Sequence, residues 1–237
     1  MQLRIVGSSP AWPNPGGACS GHLVDGRLLL DCGPGVLAKL REREPWPAVD
    51  AIAITHLHLD HWGDLVPWVW GSLYGPGREL PRPRLLMPPG SVDTLRPLLG
   101  KLGTERMLER VFDVQEYEPG SAIDVAGLRL TALPVIHYEL EAYGFRVDGD
   151  GRALAYSGDT APCRPLVELA RGADLFLCEA TLDDPNEGDR RGHLTIDEAQ
   201  DAHEQAGSRR LLLTHRPSER AVPDGFELAH DGLEVEF

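Results

Sequence analysis

The 237-residue chain is poor in cysteine: it has four (Cys19, Cys32, Cys163 and Cys178), scattered and without a Cys-x-x-Cys pair. That spacing excludes a disulfide framework and reads as reduced thiols in a cytosolic protein. No run of about 18 apolar residues occurs, so no membrane-spanning helix is expected. The opening residues, MQLRIVGSSPAWPNPGG, hold no apolar core of signal-peptide length and meet Pro10, Pro13 and Pro15 early. A cytoplasmic location follows as the expectation. Positive charge is scarce as well, with 23 Lys and Arg against 37 Asp and Glu and a formal net charge of −14. Such a surface repels phosphate backbones and anionic lipid, so long nucleic acids and membranes are disfavoured as partners. Low-complexity tracts and fixed-period repeats are also missing.

What is present is an ordinary globular composition, 42% hydrophobic and 25% charged. A chain of this length can bury about 70% of its unfolded surface, and residues 1–237 are expected to form a single domain. The 26 Gly and 20 Pro are spread throughout, as in many short elements joined by tight turns. Strands are expected at Leu3–Val6, His22–Val24 and Arg27–Asp31, the last two joined by an Asp25-Gly26 turn. Further strands are read at Ala51–Thr55, Leu85–Met87, Asp113–Tyr117, Leu128–Leu133, Ala142–Val147, Leu154–Tyr156, Leu175–Cys178, Arg210–Thr214 and Leu233–Phe237. Helices are expected at Val36–Arg43, Pro165–Ala170 and Thr195–Ala206, the last with Thr195 and Glu198 as a capping box. Strands in two batches, each closing with helices, predict a layered α/β sandwich.

The chemistry concentrates in His56-Leu57-His58-Leu59-Asp60-His61, directly after the strand Ala51–Thr55. Imidazole and carboxylate are ligands of zinc, manganese and iron. His56 and His58 alternate with Leu57, so an extended loop aims both at one point. Asp60 and His61 lie beyond a turn, within reach of a second ion. Three later metal-capable residues also follow apolar strands, namely His137, Asp159 and His215, where loops gather active sites.

These motifs resemble the metallo-β-lactamase superfamily: the HxHxDH run, His137, Asp159 in Ser157-Gly158-Asp159-Thr160, and His215 in LLLTH. The early Leu28-Leu29-Leu30-Asp31-Cys32-Gly33 is similar to the motif whose Asp and Gly support the site from behind. The resemblance implies an αββα sandwich of two mixed β-sheets flanked by helices. It also implies two metal ions, one held by His56, His58 and His137, the other by Asp60, His61 and His215, with Asp159 bridging. Within the superfamily the likeness is to the phosphodiesterase branch that includes ribonuclease Z. His137 to Val147 resembles that branch's third motif, and Cys178-Glu179-Ala180-Thr181 its His-Glu-Ala-Thr element with Cys in place of His. Gly192-His193-Leu194-Thr195 resembles the element that supplies a proton to the leaving oxygen in ribonuclease Z. That enzyme carries a long tRNA-gripping arm after the third motif. Only Tyr138 to Gly158 separates His137 from Asp159 here, too short for such an arm.

The resemblance predicts a dinuclear hydrolase for small phosphodiesters such as cyclic nucleotides, acting through a metal-bridging hydroxide that Asp60 orients. His193, held by Glu179, would protonate the departing alkoxide. Zn²⁺ is the expected metal, with Mn²⁺ or Fe²⁺ also accepted by such shells. The alternatives are a lactonase or thioesterase of the same fold, and a non-hydrolytic relative. A homodimer is open, since relatives often dimerise. Trp62, Trp68, Trp70 and Tyr74 either wall the pocket or form the packing face of an amphipathic helix. Arg164, Arg190, Arg191 and Arg216 are available to clamp phosphate, although a solvated surface role is expected for each. Asp183–Asp189 reads as a solvated loop near the entrance.

Overall fold

A computed structural model describes residues 1–103, 106–187 and 190–237. The first half runs β1 (Gln2–Gly7), β2 (Gly21–Val24), β3 (Leu28–Leu30), α1 (Val36–Arg41), β4 (Ala51–Ala53), α2 (Leu59–Trp62), α3 (Leu65–Tyr74), β5 (Arg84–Met87), α4 (Ser91–Lys101), α5 (Leu108–Val111) and β6 (Asp113–Glu116). The second half runs β7 (Ala122–Val125), β8 (Leu128–His137), β9 (Leu140–Gly149), β10 (Arg152–Tyr156), α6 (Arg164–Ala170), β11 (Leu175–Glu179), α7 (Ile196–Ala206), β12 (Leu211–Thr214) and β13 (Glu234–Glu236). One sheet has the order β13-β1-β2-β3-β4-β5-β6 and the other β12-β11-β10-β9-β8-β7. Each mixes antiparallel pairs with a parallel run, β3 to β6 in the first and β10 to β12 in the second.

The strand period of two sorts the side chains into layers. Leu28 and Leu30 point between the sheets, where they meet Phe145, Leu154, Leu175 and Leu177. Leu29, one residue out of phase, points the other way and packs with Ile52, Leu85 and the α1 and α3 residues Val36, Leu40 and Trp68. In the second sheet Phe176 and Cys178 alternate with Leu175 and Leu177, turning outward to Leu166 and Leu169 of α6 and Ala199 of α7. Strands buried on both faces therefore read as unbroken apolar runs. The result is the four-layer αββα sandwich of two mixed sheets expected from the sequence.

Several elements differ from the expectation, each for a local reason. α4 carries Pro97 inside it, a residue that reads as a helix stop, and its helix was not anticipated; nor were α5 and β7. α1 ends at Arg41 rather than Arg43. β8 continues past Leu133 through Pro134 to His137. Pro134 is tolerated because β7 pairs with β8 only as far as Thr131, so its missing N–H deprives no neighbouring strand. Among the described residues no helix is long and apolar enough to cross a membrane.

The parallel strands β3, β4, β10, β11 and β12 all run toward one rim, and their trailing residues Asp31, His56, Asp159, Glu179 and His215 gather there. α7 begins with the expected capping box, the Thr195 side chain accepting from Glu198 N and the Glu198 carboxylate from Thr195 N. Thr195→Ala removes that cap and should cost about 1 kcal/mol in urea unfolding, with Thr195→Ser close to wild type.

Candidate metal centre

The loop after β4 places Thr55 and His56, and His58 is the N-cap residue of the short helix α2, which carries Asp60 and His61. α2 lies directly on the turn after β3: Cys32 N donates to His61 O (2.7 Å), and Asp64 N donates to Cys32 O (3.0 Å). Gly33 is required at this contact, since a Cβ there would fall 1.9 Å from the Asp60 carbonyl oxygen. The close approach explains the glycine in the LLLDCG segment.

Asp31, fully buried with φ +60°, forms the floor. Its carboxylate accepts from Thr55 N (2.8 Å), the Thr55 hydroxyl (3.0 Å), the Tyr156 hydroxyl (2.8 Å) and His61 Nδ1–H (2.7 Å). The last bond fixes the His61 tautomer and leaves its Nε2 lone pair aimed at the centre. The same device recurs around the ring. His56 Nδ1 donates to Thr55 Oγ1 (3.1 Å), His137 Nδ1 to Gly192 O (2.7 Å) and His215 Nδ1 to Thr181 Oγ1 (2.9 Å). Each imidazole thus spends one nitrogen on a fixed acceptor and offers the other inward.

The inward atoms converge. Asp159 Oδ2 lies 3.3 Å from His61 Nε2, 3.5 Å from His215 Nε2, and 3.9 Å from both His56 Nε2 and His137 Nε2. Asp60 Oδ2 lies 3.2 Å from both His61 Nε2 and His215 Nε2. His58 enters through Nδ1, 2.9 Å from His137 Nε2. Among the described residues three groups could hold a metal ion, with donor atoms within 4.8 Å of one another in each: His56, His58, His137 and Asp159; Asp60, His61, Asp159 and His215; and, at the rim, Glu179, His193 and His215. All seven side chains singled out in the sequence are brought together, and Asp159 belongs to the first two groups. His56 Nε2, His61 Nε2 and Asp159 Oδ1 are buried with no hydrogen-bond partner. Buried polar atoms are normally satisfied, and clustered imidazole and carboxylate lone pairs fit a divalent cation.

The local electrostatics divide the histidines: burial opposes charging of His61, but the Asp159, Asp31 and Asp60 carboxylates override it and hold its pKa well above the ordinary value, so a cation would have to displace that proton. Burial pulls His56 well below its ordinary pKa and His137 down to about 4, so both present neutral lone pairs. Burial alone would raise Asp60 and Asp159, but His61 and His215 outweigh it and hold both carboxyls well below the usual range.

Glu179 and His193 form the rim. Glu179, fully buried, accepts from Thr160 N (2.8 Å), the Thr181 hydroxyl (2.7 Å) and His193 Nδ1–H (2.9 Å). Burial opposes charging of His193, and the Glu179 carboxylate overrides it, lifting the pKa to about 9. The His193 ring stacks on His215 at 5.6 Å with its Nδ1 3.9 Å from Asp159 Oδ2. Thr55, Thr181, Tyr156 and the Gly192 carbonyl were not singled out as partners in the sequence. Their only signal is adjacency, Thr55 preceding His56 and Thr181 following Glu179 by two.

Other candidates fall elsewhere. Trp62 and Trp68 are buried in the outer core, whereas Trp70 and Tyr74 are exposed and stack on each other at 5.8 Å. Arg164 and Arg190 pair with Glu168 and Glu139 at the surface, and Arg191 pairs with Glu198. Arg216 corrects the expectation of a solvated role. It is 4% exposed and donates to the Ala180, Leu182 and Ala221 carbonyls and to Asp183, tying down the segment that carries Thr181. In the loop at Asp183–Asp189, residues Asp183 to Glu187 are exposed, and Gly188 and Asp189 lie outside the described residues. All four cysteines are free, with Cys32 and Cys178 in the core as expected.

A family profile described as a beta-lactamase superfamily domain matches residues 26–216. The chain belongs to this superfamily. Among superfamily relatives, an uncharacterised Mycobacterium leprae protein is 36% identical over 92% of this chain and 78% of its own length. A Mycobacterium marinum ribonuclease Z is 29% identical over 91% of this chain and 86% of its own. The crystal structure of the Bacillus subtilis metallo-β-lactamase-fold protein YhfI shares the fold with a TM-score of 0.84, 23% identity and 99% coverage of each chain. A diphosphatase of the PhnP family is 26% identical with a TM-score of 0.72, covering 100% of this chain and 97% of its own.

Because Asp31 orients His61 from behind, Asp31→Asn should leave the protein folded by circular dichroism yet weaken binding of the ion on the His61 side about 10–100-fold in a metal titration.

Proposed function

We propose that the protein is a dinuclear metal-dependent phosphodiesterase for small phosphodiesters such as cyclic nucleotides. The observation that carries this reading is the Glu179–His193 pair, bonded at 2.9 Å and set beside the two donor groups that share Asp159. An alkoxide leaves a phosphodiester readily only when it is protonated, and His193, held by Glu179, is placed to supply that proton. The relationship to a ribonuclease Z and to a PhnP-family diphosphatase supports phosphoester chemistry. The chain's net charge of −14 supports a small substrate over a long polyanion.

His56, His58, His137 and Asp159 would hold one ion, and Asp60, His61, His215 and Asp159 the other. Five imidazoles among seven donors favour Zn²⁺, with Mn²⁺ and Fe²⁺ compatible. Two such ions supply Lewis acidity at a phosphoryl oxygen and lower the pKa of water. The protein side of the reaction is then positional. Asp60 orients the attacking water through its carboxylate. His193 keeps Nδ1 on Glu179 and turns Nε2, its second donor, to the departing oxygen. Thr160 N and the Thr181 hydroxyl hold the Glu179 carboxylate in that orientation. The partner is a small phosphoester, and the site acts from the cytoplasm.

The test is metal content followed by turnover of bis(p-nitrophenyl) phosphate, cyclic AMP and a lactone with Zn²⁺ or Mn²⁺. Both phosphodiesters should be hydrolysed faster than the lactone. A faster lactone makes the protein a carboxyl-ester hydrolase, and two bound metals without turnover make it a non-hydrolytic relative. His193→Ala should keep both metals and lose about 10²–10⁴-fold in kcat on cyclic AMP, whose leaving group is an alkoxide, and much less on bis(p-nitrophenyl) phosphate.

A further inference from the structure

Tyr138 combines a strained backbone with an exposed ring at the edge of the centre. It is the first residue of the two-residue turn between β8 and β9, where His137 pairs with Leu140. Its φ is +52°. Glycine, asparagine or aspartate suits such a hairpin position, and a bulky residue there is an outlier. Strain of this kind persists only where the surroundings impose it, and it clusters at functional sites.

The surroundings of the ring are the centre itself. Its centroid lies 4.8 Å from that of His137 and 5.7 Å from that of His193, the latter at 81°. The Cδ2–Cε2–Cζ edge covers Gly192 so closely that a Cβ there would come within 2.4 Å of it. On one side of this contact His137 donates to the Gly192 carbonyl, and on the other Arg190 pairs with Glu139. The turn and the segment before His193 are thus joined around the ring. Yet Tyr138 remains 45% exposed, so filling the core does not account for an aromatic here.

We propose that Tyr138 is a specificity-determining residue whose exposed face stacks on the planar base of a nucleotidyl phosphodiester while the phosphate lies at the His/Asp centre. The proposal rests on the phosphodiesterase reading and narrows it to nucleotidyl substrates. A flat π surface favours a nucleobase over an aliphatic alcohol.

The experiment uses full-length zinc-loaded protein and calorimetric titration with adenosine 5′-monophosphate and ribose 5-phosphate. Tyr138→Ala and Tyr138→Gly should weaken the nucleotide about tenfold or more while leaving ribose 5-phosphate unchanged. Tyr138→Phe should bind both as wild type does. Tyr138→Gly should also melt no lower than wild type, because glycine relieves the turn. Equal nucleotide affinity in wild type and Tyr138→Ala overturns the proposal, as does a parallel loss of ribose 5-phosphate. A lowered melting temperature for Tyr138→Gly makes the ring structural and overturns it too. Wild-type turnover of bis(p-nitrophenyl) phosphate, measured alongside, reports on the phosphodiesterase reading alone and separates the two failures.

Discussion

The Asp31 carboxylate is the interaction on which the rest of the centre depends. It lies wholly out of water, so every acceptor position must be met from within the protein. Its partners come from both sheets: Thr55 after β4 and Tyr156 at the end of β10, together with His61 on α2. One buried charge therefore joins the two halves of the sandwich at the rim and sets the tautomer of an inward-facing imidazole. Leaving such a group short of a partner costs about 1–3 kcal/mol or more. The penalty keeps strand ends, helix α2 and His61 in one arrangement.

The opposite wall repeats the logic with Glu179. It too is fully buried, and its donors are Thr160, Thr181 and His193. Thr181 accepts from His215 while donating to Glu179, so one hydroxyl links an inward-facing imidazole to the Glu179–His193 pair. Arg216, next to His215, secures the carbonyls on either side of Thr181. Two buried carboxylates, each serving a different set of histidines, thus hold the centre from two sides. His56 Nε2, His61 Nε2 and Asp159 Oδ1 of the centre are buried without a hydrogen-bond partner.

The acidic surface and the centre obey different rules. Over the surface the excess of carboxylates repels polyanions. Within the centre the carboxylates are matched by imidazoles at 3.2–3.9 Å, and divalent cations would dominate the local field. A small anionic diester is compatible with both. The exposed ring of Tyr138 adds a flat apolar surface beside that field.

Much of this was legible in the chain because it is local. The apolar runs around Leu29, Ile52 and Leu177 mark strands buried on both faces, and the hexapeptide His56 to His61 announces its own chemistry by density. Residues such as His137, Asp159 and His215 were legible by position, each just past an apolar strand. α4 was hidden by Pro97, which reads as a helix stop, and the end of β8 by Pro134, which is tolerated because β7 pairs only as far as Thr131. The sequence by itself determined the layered α/β class, the donor types and the short span between His137 and Asp159. Tertiary structure alone decided which nitrogen of each histidine faces inward, that Arg216 is buried, and that Tyr138 covers Gly192. Those outcomes turn on hydrogen bonds and contacts between strand ends far apart in the chain, and the order of residues carries no direct signal of such distances.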